Sequence, residues 1–568
     1  MAMARLLVFL GTIVLAYSLR SGGSGIIILV LLAGTACFLA LLLRYNRLQR
    51  KKQYQETAIQ CGKNELKALD YDFSAFDGAP EKLNPLHLFS TDLDIFGNHS
   101  LFQSMNRTGT NYGKQVLIEW FENPLRKVAD IAVRQEAVKE LSRKQNFIHH
   151  FQILGLINPC KSSDDKEIED FVKHSDGIGS RKKWKAAQIA LPLLWAVLIL
   201  LTVCAVFPPK GLIGMYLLAL LISESQAKKI NRLQKTVCRK VDLLQNYLEL
   251  IQAVECESFQ SKRLNELQSV FLQDKRKASA DLKKLAQLTS ELEQRGNMLV
   301  FLLLNPLLLW DIQKSIQLEE WKDKRGKNLL HWIKIMGEFD AYCSLGIFVF
   351  NHPDYAFPEC TDTYFRMEGR RLGHPLMKQC VRNDVFIEKA PLFLVVTGAN
   401  MAGKSTYLRT VGVNFVLACI GSSVCAESLT FSPALLITSL RTSDSLNDHE
   451  SYFFAELKRL KVIIDRLQAG EKVFIILDEI LKGTNSVDKQ KGSLALVQQF
   501  ISLQTCGIIA THDLLLGSLE KEFPGKVRNY CFEADIQGDE LSFSYQLREG
   551  IAQNMNATFL MKKMGITV

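Results

Sequence analysis

Ten residues, Thr397-Gly398-Ala399-Asn400-Met401-Ala402-Gly403-Lys404-Ser405-Thr406, restrict the fold of this chain more than any other segment. They satisfy G-x-x-x-x-G-K-[ST] in full and follow an apolar run at 392–396 that reads as a buried strand. Gly398 and Gly403 let the loop close tightly, so that the main-chain N–H groups from Gly398 through Ala399, Asn400, Met401, Ala402 and Gly403 point at a polyphosphate. Lys404 can then reach the β- and γ-phosphates of a nucleotide such as ATP, and Ser405 can ligand Mg2+. Thr406 opens a helical stretch to 418 whose positive N-terminal end faces the same anion. Such a strand, loop and helix belong at the carboxyl edge of a parallel sheet, so the C-terminal region is expected to be an α/β P-loop NTPase domain.

The downstream chain supplies the acids this site needs. Residues 473–479 form a second buried strand that ends in Asp478 and Glu479. There Asp478 is expected to bind Mg2+ through water, and Glu479 to polarise the water that attacks the γ-phosphate. A plain strand followed by a solvated acidic turn is the bland alternative. A third short strand, 507–511, ends in His512 and Asp513. His512 is either an exposed strand-end residue or, beside a nucleotide, a group that senses the γ-phosphate or positions the attacking water. Between these strands Phe453, Leu457, Leu460, Ile464 and Leu467 mark one face of a helix. Ser451 precedes it, either as an ordinary N-cap or as a residue presented to a nucleotide on a partner subunit, as in ABC-type ATPases.

The order and spacing of these blocks resemble the ATPase domain of the DNA mismatch repair protein MutS family. T-G-A-N-M-A-G-K-S-T is similar to that family's P-loop, L-D-E-I-L-K-G-T-N-S (477–486) to its Walker B region, and A-T-H-D (510–513) to its switch histidine. Arg371-Leu372-Gly373-His374-Pro375-Leu376 resembles the short His-Pro motif at the start of the domain, and 550–565 its closing segment. The resemblance covers 364–566 and implies a homodimer with composite nucleotide sites, ATP hydrolysis with Mg2+, and binding of mismatched or branched DNA in repair. It also implies that Phe386 stacks on adenine. Residues 447–450 and Lys482 depart from the family pattern, the latter standing where an arginine is common. A second resemblance, to the opening of the MutS core domain, runs through 100–114, 120–125 and 131–138. It implies a helical region with structural work to do.

Membrane-like segments set this chain apart from the soluble repair proteins of the family. Residues 26–43 carry no charge and are followed by Arg44, Arg47, Arg50, Lys51 and Lys52, the pattern of a transmembrane helix with a cytoplasmic basic flank. Residues 6–19 are either the first arm of a hairpin or a signal-like segment. A second pair, 186–207 and 212–222, is bracketed by Arg181-Lys182-Lys183 and Lys228-Lys229 and reads as a membrane hairpin, with a soluble core pair as the alternative. Two to four crossings follow, placing the ATPase domain on the cytoplasmic side of a multi-pass protein in the cell membrane. Residues 223–293 contain neither proline nor glycine and show apolar gaps of three and four, which predicts one long helix or a helical hairpin. Residues 298–309 are apolar, contain Asn305-Pro306, are too short to span a bilayer and read as a buried helix joint. Trp310, Trp321 and Trp332, eleven apart, read as packing residues.

The expected organisation is therefore 1–50 N-terminal membrane segments, 51–182 a core-like helical region, 183–225 a membrane hairpin, 226–350 a helical lever, and 351–568 the ATPase domain. The mismatch-reading N-terminal domain and the C-terminal oligomerisation tail of the family are expected to be lacking. A net charge of +10 sits largely beside the membrane segments, so it speaks for anionic lipid at least as much as for nucleic acid. Thirteen cysteines without C-x-x-C spacing point to reduced thiols and no zinc. The alternative to a DNA-directed ATPase is a membrane-associated, ATP-driven mechanoenzyme acting on an envelope or protein partner.

Overall fold

The computed structural model describes residues 2–19, 23–157, 162–173, 181–237, 241–273, 277–399, 401–441, 452–482, 484–537 and 540–553. Asn400, residues 447–450, Ser451 and residues 554–565 of the expected closing segment lie outside the described residues. The chain divides into two compact units, residues 1–66 and 67–568.

In the first unit, α1 (Ala2–Ser18) and the opening of α2 (Ser24–Leu69) pair as a hairpin. Gly34 lies so close to α1 that a Cβ there would stand 2.2 Å from Thr12 Oγ1. The Arg5 guanidinium sits 4.4 Å over the Tyr45 ring. The apolar run and its basic flank belong to one helix that continues to Leu69. Its apolar window has no buried share, and it is long and apolar enough to cross a membrane.

The second unit begins with a helical layer: α3 (Leu101–Met105), α4 (Asn111–Glu122), α5 (Val128–Arg143), α6 (Gln145–Ile157) and α7 (Ser162–Lys173). Then come α8 (Arg181–Val203), α9 (Pro209–Glu224), α10 (Ala227–Val237), α11 (Val241–Cys256), α12 (Lys262–Leu272), α13 (Ala278–Glu293), α14 (Met298–Leu308) and α15 (Trp310–Asn351). The 42-residue α15 is the axis against which α4, α5, α12 and α13 pack. Trp321 and Trp332 are buried on it, and Trp321 Nε1 donates to the Asp281 carbonyl at 3.0 Å. The expected single helix or hairpin over 223–293 is instead broken into α10 to α13. Two of the breaks are held by distant carboxylates: Glu140 accepts from the N–H groups of Gln260 and Ser261 at the start of α12. Glu255 accepts from Ser279 N–H and Oγ at the start of α13. Such caps from other helices satisfy end donors that no local residue covers.

The turn before α4 does the structural work expected of it. Thr110 caps the helix through its Oγ, which accepts from Gly113 N–H at 3.0 Å. The fully buried Asp340 of α15 accepts from Gly109 N–H, Thr110 N–H and Thr110 Oγ. Burial pushes the Asp340 carboxyl up to about 6, against the opposing pull of those donors. A carboxyl whose folded pKa lies above its unfolded value favours folding below about pH 4, and that contribution is lost as pH rises through about 6. The stability of Asp340→Asn relative to the parent should therefore rise by up to about 3 kcal/mol between pH 4 and pH 7. Denaturant unfolding at both pH values measures this; a constant difference would show that Asp340 is ionised throughout.

The helical layer leads into two sheets. The smaller has the order β1-β5-β2-β3, from β1 (Glu359–Cys360), β2 (Met367–Leu372), β3 (Asn383–Ile387) and β5 (Ser428–Phe431). The larger has the order β10-β9-β4-β8-β7-β6, with β4 (Leu392–Gly398), β6 (Leu435–Ser439), β7 (Val473–Asp478), β8 (Cys506–Thr511), β9 (Val527–Gln537) and β10 (Glu540–Glu549). Strands β9, β4, β8, β7 and β6 are parallel, and β10 returns antiparallel. Helices α16 (Lys404–Cys419), α17 (Tyr452–Gln468) and α18 (Ser486–Ser502) connect them. The fully buried runs Leu392–Gly398 and Cys506–Thr511 are what parallel strands covered on both faces require. On α17 Leu460 and Leu467 are buried and Phe453 and Ile464 pack against the same core, as expected, while Leu457 is 38% exposed and Ile463 is buried in addition.

Candidate nucleotide site

The strand order brings the three carboxyl ends together. β8 lies between β4 and β7, so its end carries His512 between Lys404 and the two acids. Lys404, Ser405, Thr406, Asp478, Glu479 and His512 line one cavity of about 630 Å3, together with Ala399, Met401 and Gly403. Gly398, Met401 and Gly403 have φ of 150°, 68° and 107°, backbone that wraps the loop around its own axis. Lys404 Nζ donates to the carbonyls of Gly398 and Ala399 at 2.7 and 2.9 Å and stands 3.4 Å from His512 Nε2. Ser405 Oγ donates to Asp478 Oδ2 at 2.5 Å, which places one hydroxyl and one carboxylate side by side. Two oxygen donors of this kind suit a hard divalent cation such as Mg2+.

Electrostatics follow from this enclosure. Burial pulls the Lys404 ammonium down to about 8, with Asp478 and Glu479 acting in the opposite direction. Burial and the neighbouring Lys404 charge lower His512, so the imidazole is neutral at pH 7. For Glu479, burial would raise the carboxyl, but the hydrogen bond and charge of Lys489 prevail and hold it below its ordinary value. Lys489 Nζ lies 2.6 Å from Glu479 Oε1.

The sequence model of MutS domain V matches residues 394–565, and that of MutS domain III matches residues 83–346. Together they cover more than half of the chain, and they bracket both the helical layer and the phosphate loop. The chain belongs to the MutS family. It is 31% identical over 215 residues to "MutS protein homolog 4" of Homo sapiens, covering 36% of this chain and 22% of that protein. It is 28% identical over 249 residues to "DNA mismatch repair protein MutS" of Thermotoga petrophila, covering 43% and 31%. With "DNA mismatch repair protein MSH4" of Arabidopsis thaliana it shares 32% identity over 202 residues, covering 34% and 25%. The matched stretch thus spans less than a third of the length of each of these relatives.

Phe386, implied as the residue against adenine, lines a cleft that shares Cys380, Val381, Asn383 and Tyr407 with the phosphate cavity of this MutS-family chain. Phe386 lies in β3, where Val385 and Ile387 are buried and the alternation of the strand turns Phe386 outward, 40% exposed. Its ring faces the Arg528 guanidinium at 5.7 Å, in a cleft whose lining includes none of residues 397–406. The phosphate cavity is lined on that side by Met377, Cys380 and Val381, in the loop before β3, and by Tyr545 of β10. Asn400 and Ser451 lie outside the described residues.

Sequence reasoning also missed the supports. Glu456 of α17 accepts from Leu481 N–H at 2.6 Å and Lys482 N–H at 3.1 Å, gripping the turn that carries Glu479. That turn is left-handed at Glu479 and Leu481, with φ of 61° and 58°. The glutamate lay on a stretch already read as helical, but nothing local to it announces a partner 25 residues away. Asn383 joins β3 to β10 through Tyr545 O and Leu547 N–H, at 3.0 and 2.8 Å. Asp94 of the helical layer meets Arg409 on the phosphate-loop helix and Arg441 at the end of β6, at 3.2 and 2.6 Å.

Proposed function

We propose that this chain binds and hydrolyses ATP at residues 397–406 and uses the cycle, as a pair of copies, to act on mismatched or branched DNA from a membrane-held position. The observation that carries the ATPase reading is the convergence of Lys404, Ser405, Asp478, Glu479 and His512 on one cavity of nucleotide size. Lys404 would give up its contacts with the loop carbonyls to meet the β- and γ-phosphates, and a triphosphate restores the negative charge that its enclosure lacks. Glu479, kept ionised by Lys489, would take a proton from the attacking water. Neutral His512, beside Lys404, would sense or orient the γ-phosphate. Ser405 and Asp478 would hold Mg2+, which when bound neutralises charge on the phosphate oxygens.

The DNA part of the proposal draws on the printed names of the relatives. If phosphates are contacted, affinity for duplex and mismatched DNA should fall linearly on a log–log plot against salt, with a slope of about −0.9 per phosphate contacted. Flat and negligible binding across the salt range would overturn the DNA role and leave an ATPase directed at another partner. The membrane part is supported by α2 and by α8, both long and apolar enough to cross, the window in α8 having a buried share of only 6%. Lys182, Lys183, Lys228 and Lys229 beside α8 and α9 suit an anionic cytoplasmic surface, with the ATPase domain on that side.

A further inference from the structure

The segment 298–309, expected as a buried joint, has a different surface. Among the described side chains of α14 the buried ones are Asn305 and Pro306, while Met298 and Leu303 are 74% and 62% exposed. The helix packs against α8 and α9. With them it forms one apolar body whose outer face carries Leu193, Leu200, Leu217, Leu221, Met298 and Leu303, each more than half exposed. Large apolar side chains exposed on three mutually packed helices differ from the singly scattered exposed residues of ordinary soluble proteins.

The main-chain bonding says which medium that surface suits. Pro306 inside α14 has no N–H, so the carbonyl of Leu302, four residues earlier, loses its helical donor. Tyr216 of α9 donates its hydroxyl to that carbonyl at 2.9 Å. The helix stops at Leu308, which leaves the Pro306 carbonyl among those at the open end. Trp195 of α8 donates Nε1 to it at 2.9 Å. Two carbonyls that water would otherwise solvate are thus closed by side chains from the two neighbouring helices, as an apolar solvent demands. The polar groups gather at one place: Asn305 exchanges hydrogen bonds with Asp311, and Arg295 meets the Asp311 carboxylate at 3.2 Å.

We propose that α14 is a third lipid-facing element, entering the bilayer beside α8 and α9 without crossing it, with Tyr216 and Trp195 closing its open carbonyls. Eleven residues give a helix of only ~16 Å, against a hydrocarbon core of ~30 Å. The lysines flanking α8 and α9 fit the anionic headgroups at its rim. Because α15 starts directly after Leu309, bilayer contact at α14 is passed to the axis of the helical layer, which runs on to Asn351. The inference rests on the membrane reading of α8 and α9.

The test uses the full chain in vesicles of phosphatidylcholine and phosphatidylglycerol, with a photo-cross-linking benzophenone amino acid at position 303, 200 or 502. Position 200 reports α8, and position 502, at the exposed end of α18, reports the aqueous side. Lipid adducts are expected at 303 and 200 and not at 502. Tyr216→Phe should reduce the adduct at 303 several-fold and leave that at 200 unchanged. Lipid at 200 with none at 303 would overturn the inference while the membrane reading stands; absence at both positions would remove the membrane reading as well. Cross-linking of 303 to a second copy of the chain, in place of lipid, would equally overturn it. An adduct at 303 that is indifferent to Tyr216→Phe would refute the carbonyl-closing role.

Discussion

Lys404→Ala is expected to lower ATP turnover by about two to three orders of magnitude, the loss typical when one preorganised charge on a developing transition state is removed. The ammonium occupies the middle of the cavity, donating to the Gly398 and Ala399 carbonyls within 3 Å and standing beside His512. Among the described residues, no other lysine or arginine lines that cavity except Lys482, which belongs to the turn behind Glu479. Alanine also deprives the β- and γ-phosphates of their direct cation, so nucleotide affinity should fall together with kcat. Steady-state phosphate release and binding of a fluorescent ATP analogue measure the two effects. Parent-like turnover in the variant would place the chemistry elsewhere in the chain.

Glu479→Gln is expected to separate binding from hydrolysis. The amide keeps the size and most hydrogen bonds of the carboxylate but cannot accept the proton of the attacking water, a loss of about 10²- to 10⁴-fold in kcat. ATP affinity should stay close to that of the parent, because Ser405, Asp478 and Lys404 are untouched. The glutamine also loses the charge that pairs with Lys489, a contact with both side chains about a quarter exposed, so a small drop in stability should accompany it. A single-turnover experiment shows whether bound ATP persists. Prompt hydrolysis by the variant would transfer the role of base to another group, with His512 the nearest candidate by position.

The phosphate loop was legible because its chemistry is local. Ten consecutive residues contain the glycines, the lysine and the hydroxyl, and the apolar runs before Gly398, Asp478 and His512 announce strands by composition alone. The strand face that Phe386 occupies was illegible for a related reason. An aromatic in the right region of the sequence says nothing of which face of a strand it occupies, and in β3 it falls on the outward phase. The breaks before α12 and α13 were illegible because their caps, Glu140 and Glu255, act on chain ends that are remote in sequence. A stretch without glycine or proline carries no local mark of where it bends.

From the amino-acid order alone came the family, the nucleotide loop, the pair of acids and the apolar segments, since each depends on neighbouring residues or on a short period. Tertiary structure alone decided that β8 threads between β4 and β7, so that His512 stands beside Lys404. It also decided that Glu456 and Lys489 hold the acidic turn, and that Trp195 and Tyr216 close the carbonyls of α14. The physical reason is common to all three. Side chains that meet across a folded chain are chosen by where whole strands and helices pack, and no run of consecutive residues encodes that distance.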